Sequence, residues 1–364
     1  MSRSITLGRV LMVGFLLVLV LNVFFFRSES LTKFNGFWAL ISPDEVTCEG
    51  RVALLPISTP SQNSNLNSPK IFLLETSGRA TLNPRQACAI ESALRFTNLN
   101  VFVLIRSPFL NLSDVTTCHL FKLSKETNTT TTNLYFREIQ PDRDLKDLPF
   151  DCSMFKKKLL QGHKFYATFL SDALRLAYLY NYGGWYGDLD FIYLRSLAKE
   201  NGSILAATGG KSNASYFLTN AAMKMERRHP FLLEYMEDSV RAFRGQARAE
   251  MGPNTLTSSL KRYCNIPKSI QSLRNLSDPS LCSNIRVVPP QVFHPIRLHT
   301  MKFLWSKEEL TPAFWNQTKR DAWAIHFFSY LTSSKEVTKN SRKEAYSYLA
   351  PIYCPNSFAS VEEF

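Results

Sequence analysis

The sequence lacks the patterns that would assign it to several common protein classes. Its seven cysteines include no C-x-x-C pair, which argues against a zinc site. It shows no internal repeat, and its formal charge of +13 is not gathered into a compact Lys/Arg stripe with interleaved aromatic residues. We therefore expect no nucleic-acid partner, and we interpret the short basic runs as solvated faces.

The cysteines and the glycosylation sequons indicate an oxidising lumen instead. Disulfides are the simpler interpretation of cysteines that lack metal-ligand spacing. Cys264 and Cys282 flank a polar loop and are the expected bridge, and the odd total leaves one thiol that is free or links a homodimer, for which Cys48 is the candidate. Acceptor sequons occur at Asn111, Asn128, Asn201, Asn213, Asn275 and Asn316.

An apolar run near the start of the chain predicts a membrane anchor. Residues 10–26 are apolar except for Asn22, and membrane spans usually take about 17 to 25 residues. A cleaved signal peptide is the alternative, because Ser28-Glu29-Ser30 is a small-x-small triplet. We favour the uncleaved anchor and a type II Golgi protein, since a short span suits thin early-secretory membranes. The predicted parts are a cytoplasmic tail (1–9), the anchor (10–26), a stem (27–69) and a lumenal domain (70–364).

From residue 70 onwards the pattern predicts an α/β domain. Ile71–Leu74 is typical of a buried strand, residues 88–96 of a helix, and residues 100–105 of a second strand. Strands and helices that alternate at this spacing form parallel βαβ units, which bind ligands at the carboxyl ends of their strands. Glu75, Thr76 and Ser77 lie at such an end.

The most informative segment is the one that contains two aspartates. Apolar residues at helical spacing predict a helix over 163–182, Gly183 is typical of a helix end, and a buried strand follows. In that strand Asp188 and Asp190 share one face, where two carboxylates need a counter-charge. Mg²⁺ or Mn²⁺ suits such acids and keeps coordination positions open for diphosphate oxygens.

This metal chemistry favours one reaction class. A bound divalent cation stabilises the charge on a leaving nucleotide diphosphate, and no His-rich cluster lies nearby to activate water. Sugar transfer from a nucleotide sugar is therefore favoured over hydrolysis. On the preceding helix Asp172 and Arg175 share a face, either as a plain intrahelical ion pair or as part of the same site.

An ordered series of motifs runs through most of the chain. It comprises IFLLETS at 71–77, CAIESA at 88–93, the 171–194 block, ERRH at 226–229, Gly252-Pro253 with Leu256-Thr257, Pro289-Pro290 with Phe293-His294-Pro295, AIH at 324–326 and YCP at 353–355. By this series the chain resembles the α1,4-glycosyltransferases of glycosyltransferase family 32, which include galactosyl- and N-acetylglucosaminyltransferases.

The resemblance implies a GT-A (Rossmann-like) fold behind a Golgi signal-anchor, with a UDP-sugar donor, a glycolipid acceptor, and Mn²⁺ or possible Mg²⁺. It also implies retention of configuration, with no nucleophile identified. The implied roles are metal binding by Asp188, Asp190 and His326, donor binding by Glu75, Thr76, Ser77, Asp172, Arg175, Tyr186 and Ser329, and a sugar or acceptor pocket at Asn220, Gly252 and Pro253.

The chain departs from the family pattern in three places. Gly187 stands where the family has a larger apolar residue, Ala221 replaces a glycine, and Phe328-Ser329 replaces a Trp-Asn pair. The leading interpretation is α1,4-transfer of galactose from UDP-galactose to a glycosphingolipid such as lactosylceramide. Transfer of N-acetylgalactosamine or N-acetylglucosamine is the alternative donor chemistry. A non-catalytic UDP-sugar-binding paralogue is the alternative from another class, and Phe328-Ser329 motivates it.

Overall fold

The computed structural model describes most of the chain beyond residue 46. The described residues are 47–57, 66–126, 132–160, 164–209, 216–248, 250–266, 273, 278–305, 310–335, 337, 339 and 344–362. They belong to one compact unit, Pro43–Phe364. The predicted tail and anchor lie outside the described residues, as do the sequons at Asn128, Asn213 and Asn275. Within the described residues no helix is long and apolar enough to cross a membrane.

A seven-stranded mixed sheet forms the centre of this unit. Its strands are β2 (Lys70–Glu75), β3 (Asn100–Ile105), β5 (Leu134–Glu138), β6 (Gly184–Gly187), β8 (Ser203–Gly209), β9 (Tyr216–Met225) and β10 (Ile285–Val288). They lie in the order β10-β8-β9-β6-β2-β3-β5. Strands β6, β2, β3 and β5 pair in parallel, whereas β9 is antiparallel to both β6 and β8. The predicted α/β class, with a parallel half, is confirmed.

Two small sheets accompany the central one. The first pairs β1 (Arg51–Ala53) with β4 (Phe109–Asn111), so part of the predicted stem packs on the domain. The second pairs β7 (Phe191–Tyr193) with β11 (Ala324–His326) in antiparallel register. Because β11 comes from the C-terminal part of the chain, this second sheet joins that part to the middle of the domain.

Helices cover both faces of the central sheet. The helices are α1 (Pro84–Phe96), α2 (Val115–Glu126), α3 (Pro141–Asp144), α4 (Ser153–Leu160), α5 (Tyr166–Tyr182), α6 (Pro230–Ala242), α7 (Pro253–Tyr263), α8 (Pro290–Phe293), α9 (Pro312–Asp321), α10 (Ser329–Thr332), α11 (Ala345–Tyr353) and α12 (Pro355–Ala359). Helix α1 begins with a capping box, in which the Asn83 side chain accepts from the Gln86 amide at 2.9 Å and the Gln86 side chain accepts from the Asn83 amide at 3.0 Å.

The segment that carries the two aspartates differs from the sequence prediction. The helix and its glycine stop are present, with Gly183 at φ 63°, but β6 ends at Gly187 and β7 begins at Phe191. Asp188 and Asp190 therefore lie in the bend between two strands, and the prediction that they occupy one buried strand is wrong. The Asp188 amide still donates to Ala221 O in β9. After Asp188 the chain leaves the central sheet, and β7 pairs with β11. Side chains two residues apart share a face only within one continuous strand, so this rule does not apply across the bend.

Three disulfides connect distant parts of the unit. The predicted Cys264–Cys282 bridge is present, together with Cys48–Cys118 and Cys88–Cys354. Cys152 is the free thiol. The expectation that Cys48 is the odd cysteine and links a homodimer is therefore wrong. The pairing of β1 with β4, which precedes the Cys118 helix, brings the Cys48 thiol to its partner.

The unusual glycine at position 187 has a specific packing partner. A Cβ at Gly187 would lie 1.9 Å from the hydroxyl of Tyr193. Tyr193 is buried in the core, and its ring has no room to withdraw. The departure from the family pattern is thus matched by a tyrosine hydroxyl that takes the place of the missing side chain.

Gly187→Ala is expected to lower the free energy of unfolding by about 1–3 kcal/mol through overpacking. Gly187→Ala/Tyr193→Phe should restore most of that loss, because the clashing hydroxyl is gone. Urea unfolding of the purified single and double variants gives the coupling between the two sites. Additive losses in the double variant would contradict the assignment.

Candidate active site

A cavity of about 1080 Å³ opens beside the aspartate bend. Its wall includes the carboxyl end of β2, the first turn of α1, the Ser171 to Arg175 face of α5, and residues 328–335. This is the ligand-binding end that parallel strands provide. Of the predicted site residues, Glu75, Thr76, Ser77, Arg175, Tyr186, Asp188, Asp190, His326 and Ser329 line it.

Two carboxylates and an imidazole converge on one point of the wall. His326 is paired with Phe191 across the β7–β11 sheet, which places it opposite the aspartate bend. Its Nε2 lies 2.9 Å from Asp190 Oδ1 and 3.9 Å from Asp188 Oδ2. All three residues can direct one ligand atom to a common centre, with those atoms within 4.8 Å of one another.

The geometry of this group fits a divalent ion. Asp190 Oδ1 and His326 Nε2 are buried, and among the described residues neither has a hydrogen-bond partner apart from their own 2.9 Å contact. Neighbouring ligands of an octahedral ion at about 2.1 Å are about 3 Å apart, which matches the separation of these two atoms. Asp188, Asp190 and His326 would hold the ion, and its positive charge would stabilise a leaving diphosphate.

The other contacts of Asp190 hold its carboxylate in place. Its Oδ2 accepts the Ser329 amide at 2.7 Å, and its backbone carbonyl accepts the Phe327 amide at 2.9 Å. Burial opposes its charge, but the attraction of His326 and the Ser329 amide outweigh burial, so the pKa of Asp190 lies below its usual value. Burial raises the pKa of Asp188 despite the attraction of Arg175.

Aromatic packing fixes the orientation of His326. Its ring stacks on Phe191 at 4.5 Å between centroids and meets the edge of His294 at 5.2 Å. Burial holds the pKa of His294 far below its ordinary value, so this second imidazole is neutral. The sequence motif Phe293-His294-Pro295 singled out this residue without giving it a role. In the structure His294 supports the imidazole that faces the aspartates.

Arg175 connects the helix, the aspartate bend and β9. Its guanidinium lies 3.1 Å from Asp172 Oδ1 and 3.2 Å from Asp188 Oδ1, and it donates to Asn220 O at 2.7 Å. It also lies 4.5 Å from the centroid of Tyr186, whose hydroxyl donates to Asp188 Oδ1 at 2.5 Å. Asp172 and Arg175 form the expected ion pair, and Arg175 also lines the cavity, whereas Asp172 is buried and does not. The donor contact predicted for Asp172 remains a proposal.

Three predicted pocket residues do not reach the cavity. Asn220 lies behind the wall, where its amide donates to Asp172 Oδ1 at 2.8 Å. Burial raises the pKa of Asp172 to about 6, and this hydrogen bond with the Arg175 charge opposes that rise. Gly252 and Pro253, at the start of α7, are absent from the described lining. The structure therefore does not bring the predicted sugar or acceptor pocket to this wall.

The end of β2 is ordered by internal hydrogen bonds. Glu75 accepts from the Ser77 amide at 2.7 Å and from the Gln86 side chain. Thr76 donates to Ala167 O at 2.7 Å. The carboxylate and hydroxyl therefore shape the loop, and Ser77 is left at its edge. The direct uridine contacts predicted for these residues remain a proposal.

Sequence reasoning missed four basic side chains that line the cavity. They are Arg79, Arg85, Arg248 and Lys335. The first two follow the carboxyl end of β2, a position that could have revealed them. Nothing in the local sequence marks the other two. Together with Arg175 they surround the acids with positive charge, which suits a polyanionic ligand.

The sequons within the described part of the chain are on accessible residues. Asn201 and Asn316 are exposed, and Asn111 is half-buried in β4. Glycosylation of these residues remains a prediction.

Asp190→Asn or His326→Ala is expected to weaken Mn²⁺ binding by at least tenfold, because each change removes a ligand and even outer-shell changes cost about 10–100-fold. Calorimetry of Mn²⁺ with the purified protein measures the affinity. Asp142→Asn, which alters a fully exposed carboxylate, is the control and should leave it unchanged. Equal Mn²⁺ affinity in all four proteins would contradict the site.

Arg175→Met is expected to destabilise the fold by about 3–5 kcal/mol, because it leaves the buried Asp172 carboxylate without its cation. Asp172→Asn/Arg175→Met should recover part of this loss. The exposed pair of Arg320 supplies a control, and Arg320→Met should change the free energy of unfolding by less than about 1 kcal/mol. Urea unfolding measures the free energy of unfolding of each variant. If Arg175→Met lowers it by no more than Arg320→Met does, the buried ion pair does not stabilise the fold as argued.

Two family descriptions match consecutive parts of this chain. The glycosyltransferase sugar-binding region containing a DXD motif matches residues 86–210, and the alpha 1,4-glycosyltransferase conserved region matches residues 224–361. The first match contains both aspartates, and the second contains His326.

Similar proteins agree with these matches. The human lactosylceramide 4-alpha-galactosyltransferase is 28% identical over 326 residues, covering 88% of this chain and 84% of that protein. The human alpha-1,4-N-acetylglucosaminyltransferase is 26% identical over 226 residues, covering 62% and 61%. Among solved structures, the PaToxG glycosyltransferase aligns with a TM-score of 0.42 at 14% identity, covering 84% of this chain and 99% of that one. The chain belongs to the α1,4-glycosyltransferases that carry a DXD motif.

Proposed function

We propose that this glycosyltransferase transfers galactose from UDP-galactose in α1,4 linkage to a glycosphingolipid such as lactosylceramide, with Mn²⁺ or Mg²⁺ as cofactor. The observation that carries the proposal is the convergence of Asp188, Asp190 and His326 on one point of a basic cavity. The names of the similar proteins supply the donor and acceptor classes.

The charges around the cavity suit a nucleotide diphosphate sugar. Asp188 and Asp190 would hold a divalent cation, which would offset the repulsion between carboxylates and a diphosphate. Arg79, Arg85 and Lys335 lie on the same wall and offer cationic donors to phosphate oxygens. The bound cation supplies positive charge to the leaving diphosphate, and these side chains hold that diphosphate in position.

The carboxylates near the cavity bear on the retaining mechanism. Among the described lining residues they are Glu75, Asp188 and Asp190. Glu75 is held by the Ser77 amide, and the two aspartates form the metal group. No further carboxylate in this lining is placed for a covalent glycosyl intermediate. This favours substitution on one face of the sugar, with the diphosphate leaving from the side on which the acceptor hydroxyl enters.

The departures at Phe328 and Ser329 do not disable the site. The contact between residue 329 and Asp190 uses the backbone amide, which every residue except proline provides. Phe328 adopts a left-handed conformation at φ 49° and places its ring 4.4 Å from that of His326. The non-catalytic alternative therefore has weaker support than catalysis.

The proposed location is the Golgi membrane, with a single type II span over 10–26 and the described domain in the lumen. The disulfides support this, since such bridges persist in oxidising compartments.

The full-length protein is expected to convert UDP-galactose and lactosylceramide to an α1,4-linked product only when Mn²⁺ or Mg²⁺ is present. Mass and linkage analysis of the product, with a panel of UDP-sugars, measures donor choice. Asp190→Asn should reduce kcat by at least a hundredfold, on the order of the loss of one key electrostatic group. Preference for a UDP-N-acetylhexosamine would support the alternative donor, and metal-dependent UDP binding without any product would support the paralogue.

A further inference from the structure

Three exposed apolar side chains line the cavity. Leu298, Tyr330 and Leu331 are 49%, 62% and 47% exposed, and all three line the cavity; we call them the apolar rim. Large apolar side chains of this exposure are few in the described part of the chain. Covering an exposed leucine with apolar surface lowers the free energy, and exposed apolar patches commonly mark binding sites. We therefore expect the apolar rim to bind a ligand.

The rim is attached to the metal group. Tyr330 and Leu331 belong to α10, which begins at Ser329, the residue whose amide binds Asp190. At the other end of α10, Arg85 donates to the Thr332 carbonyl at 2.8 Å. The helix is thus bonded both to the aspartate bend and to α1, so the rim has a defined position relative to the reacting centre.

A second loop contacts the rim from another side. Arg248 packs its guanidinium over the ring of Tyr330. The loop before it is folded around Glu250, whose carboxylate accepts the amides of Arg244, Gly245, Gln246 and Ala247 at 2.6–2.8 Å. Arg248 Nη1 makes no hydrogen bond within the described residues. Arg248 covers one face of the Tyr330 ring and holds it in place, while Tyr330 as a whole stays 62% exposed and can meet a ligand.

The donor substrate does not explain an apolar rim. A diphosphate requires cations and hydrogen-bond donors, and the interior wall of the cavity provides these. The acceptor must also enter this cavity, because its hydroxyl has to reach the sugar carbon bonded to the diphosphate. As the acceptor enters, it passes the rim. Contact with these apolar side chains favours an acceptor that carries apolar surface.

On the basis of the function proposed above, we infer that the apolar rim is the acceptor subsite and selects glycosides with an apolar aglycone. Tyr330, held in place by Arg248, packs its uncovered face on the C–H face of the acceptor sugar, and Leu298 and Leu331 contact the first part of the aglycone. The rim thereby distinguishes a glycolipid from the same glycan in free form.

The test compares octyl β-lactoside with free lactose as acceptors for UDP-galactose and Mn²⁺. The unaltered protein should show a higher kcat/KM for octyl β-lactoside. Leu298→Asn/Leu331→Asn should reduce that advantage roughly tenfold, through KM, because two apolar contacts with the alkyl chain are lost. Lactose kinetics and UDP affinity should change by less than about twofold, since neither ligand reaches the leucines.

Two further variants complete the design. Tyr330→Ala should raise KM for both acceptors, because both carry the sugar that packs on the ring. Leu55→Asn is the matched control: Leu55 is 52% exposed and lies away from the cavity, so the ratio of the two acceptors should not change. Thermal melting of each variant verifies that the fold is intact.

The outcomes separate this inference from the proposed function. The acceptor role of the rim is wrong if the unaltered protein uses the two acceptors equally, or if the leucine double variant keeps the same ratio of kcat/KM for them. Neither result would contradict galactosyl transfer. Absence of transfer from every UDP-sugar overturns the function instead. In that case calorimetry measures the affinities for octyl β-lactoside and lactose with UDP and Mn²⁺ present. A preference for octyl β-lactoside that falls in the leucine double variant supports the rim, and an unchanged preference overturns it.

Discussion

The antiparallel pairing of β7 with β11 is the constraint on which the site depends. It brings His326 from near the end of the chain to the aspartate bend, 136 positions earlier in sequence at Asp190. The backbone bond from Phe327 to the Asp190 carbonyl continues the pairing beyond the last strand residue. Because register in a two-residue repeat decides which face a side chain occupies, a slip of one residue would turn His326 away from the aspartates.

Arg175 makes the charges of this site compatible with burial. The Asp172 and Asp188 carboxylates lie on opposite sides of its guanidinium, and the amide of Asn220 gives Asp172 a further donor. Buried carboxylates are tolerated only with such partners. Asp188 is thereby held on the wall by a cation on one side while its other oxygen stays directed towards His326. Asn220, predicted to contact sugar, contributes through this network.

Residue patterns predicted what is local, whereas the long-range link between His326 and the aspartates was expected only from the family resemblance. Strand β3 has the predicted bounds, the α5 helix ends at the predicted glycine, and Cys264–Cys282, separated by 18 residues, was foreseen. The two unforeseen disulfides close separations of 70 and 266 residues, for which spacing carries no information. Likewise the bend at the aspartates arises because the chain changes sheets, a tertiary event that hydrophobic periodicity does not report.

The segment 326–331 shows why one departure from the family pattern can leave the chemistry intact and change selectivity. Its histidine side chain and the Ser329 amide face the acids, and these contacts do not require a Trp-Asn pair at 328–329. Phe328, which does differ, places its ring against His326, and Tyr330, two residues further on, packs against Arg248 at the cavity. Backbone atoms thus preserve the metal group while the side chains that follow set the shape of the mouth.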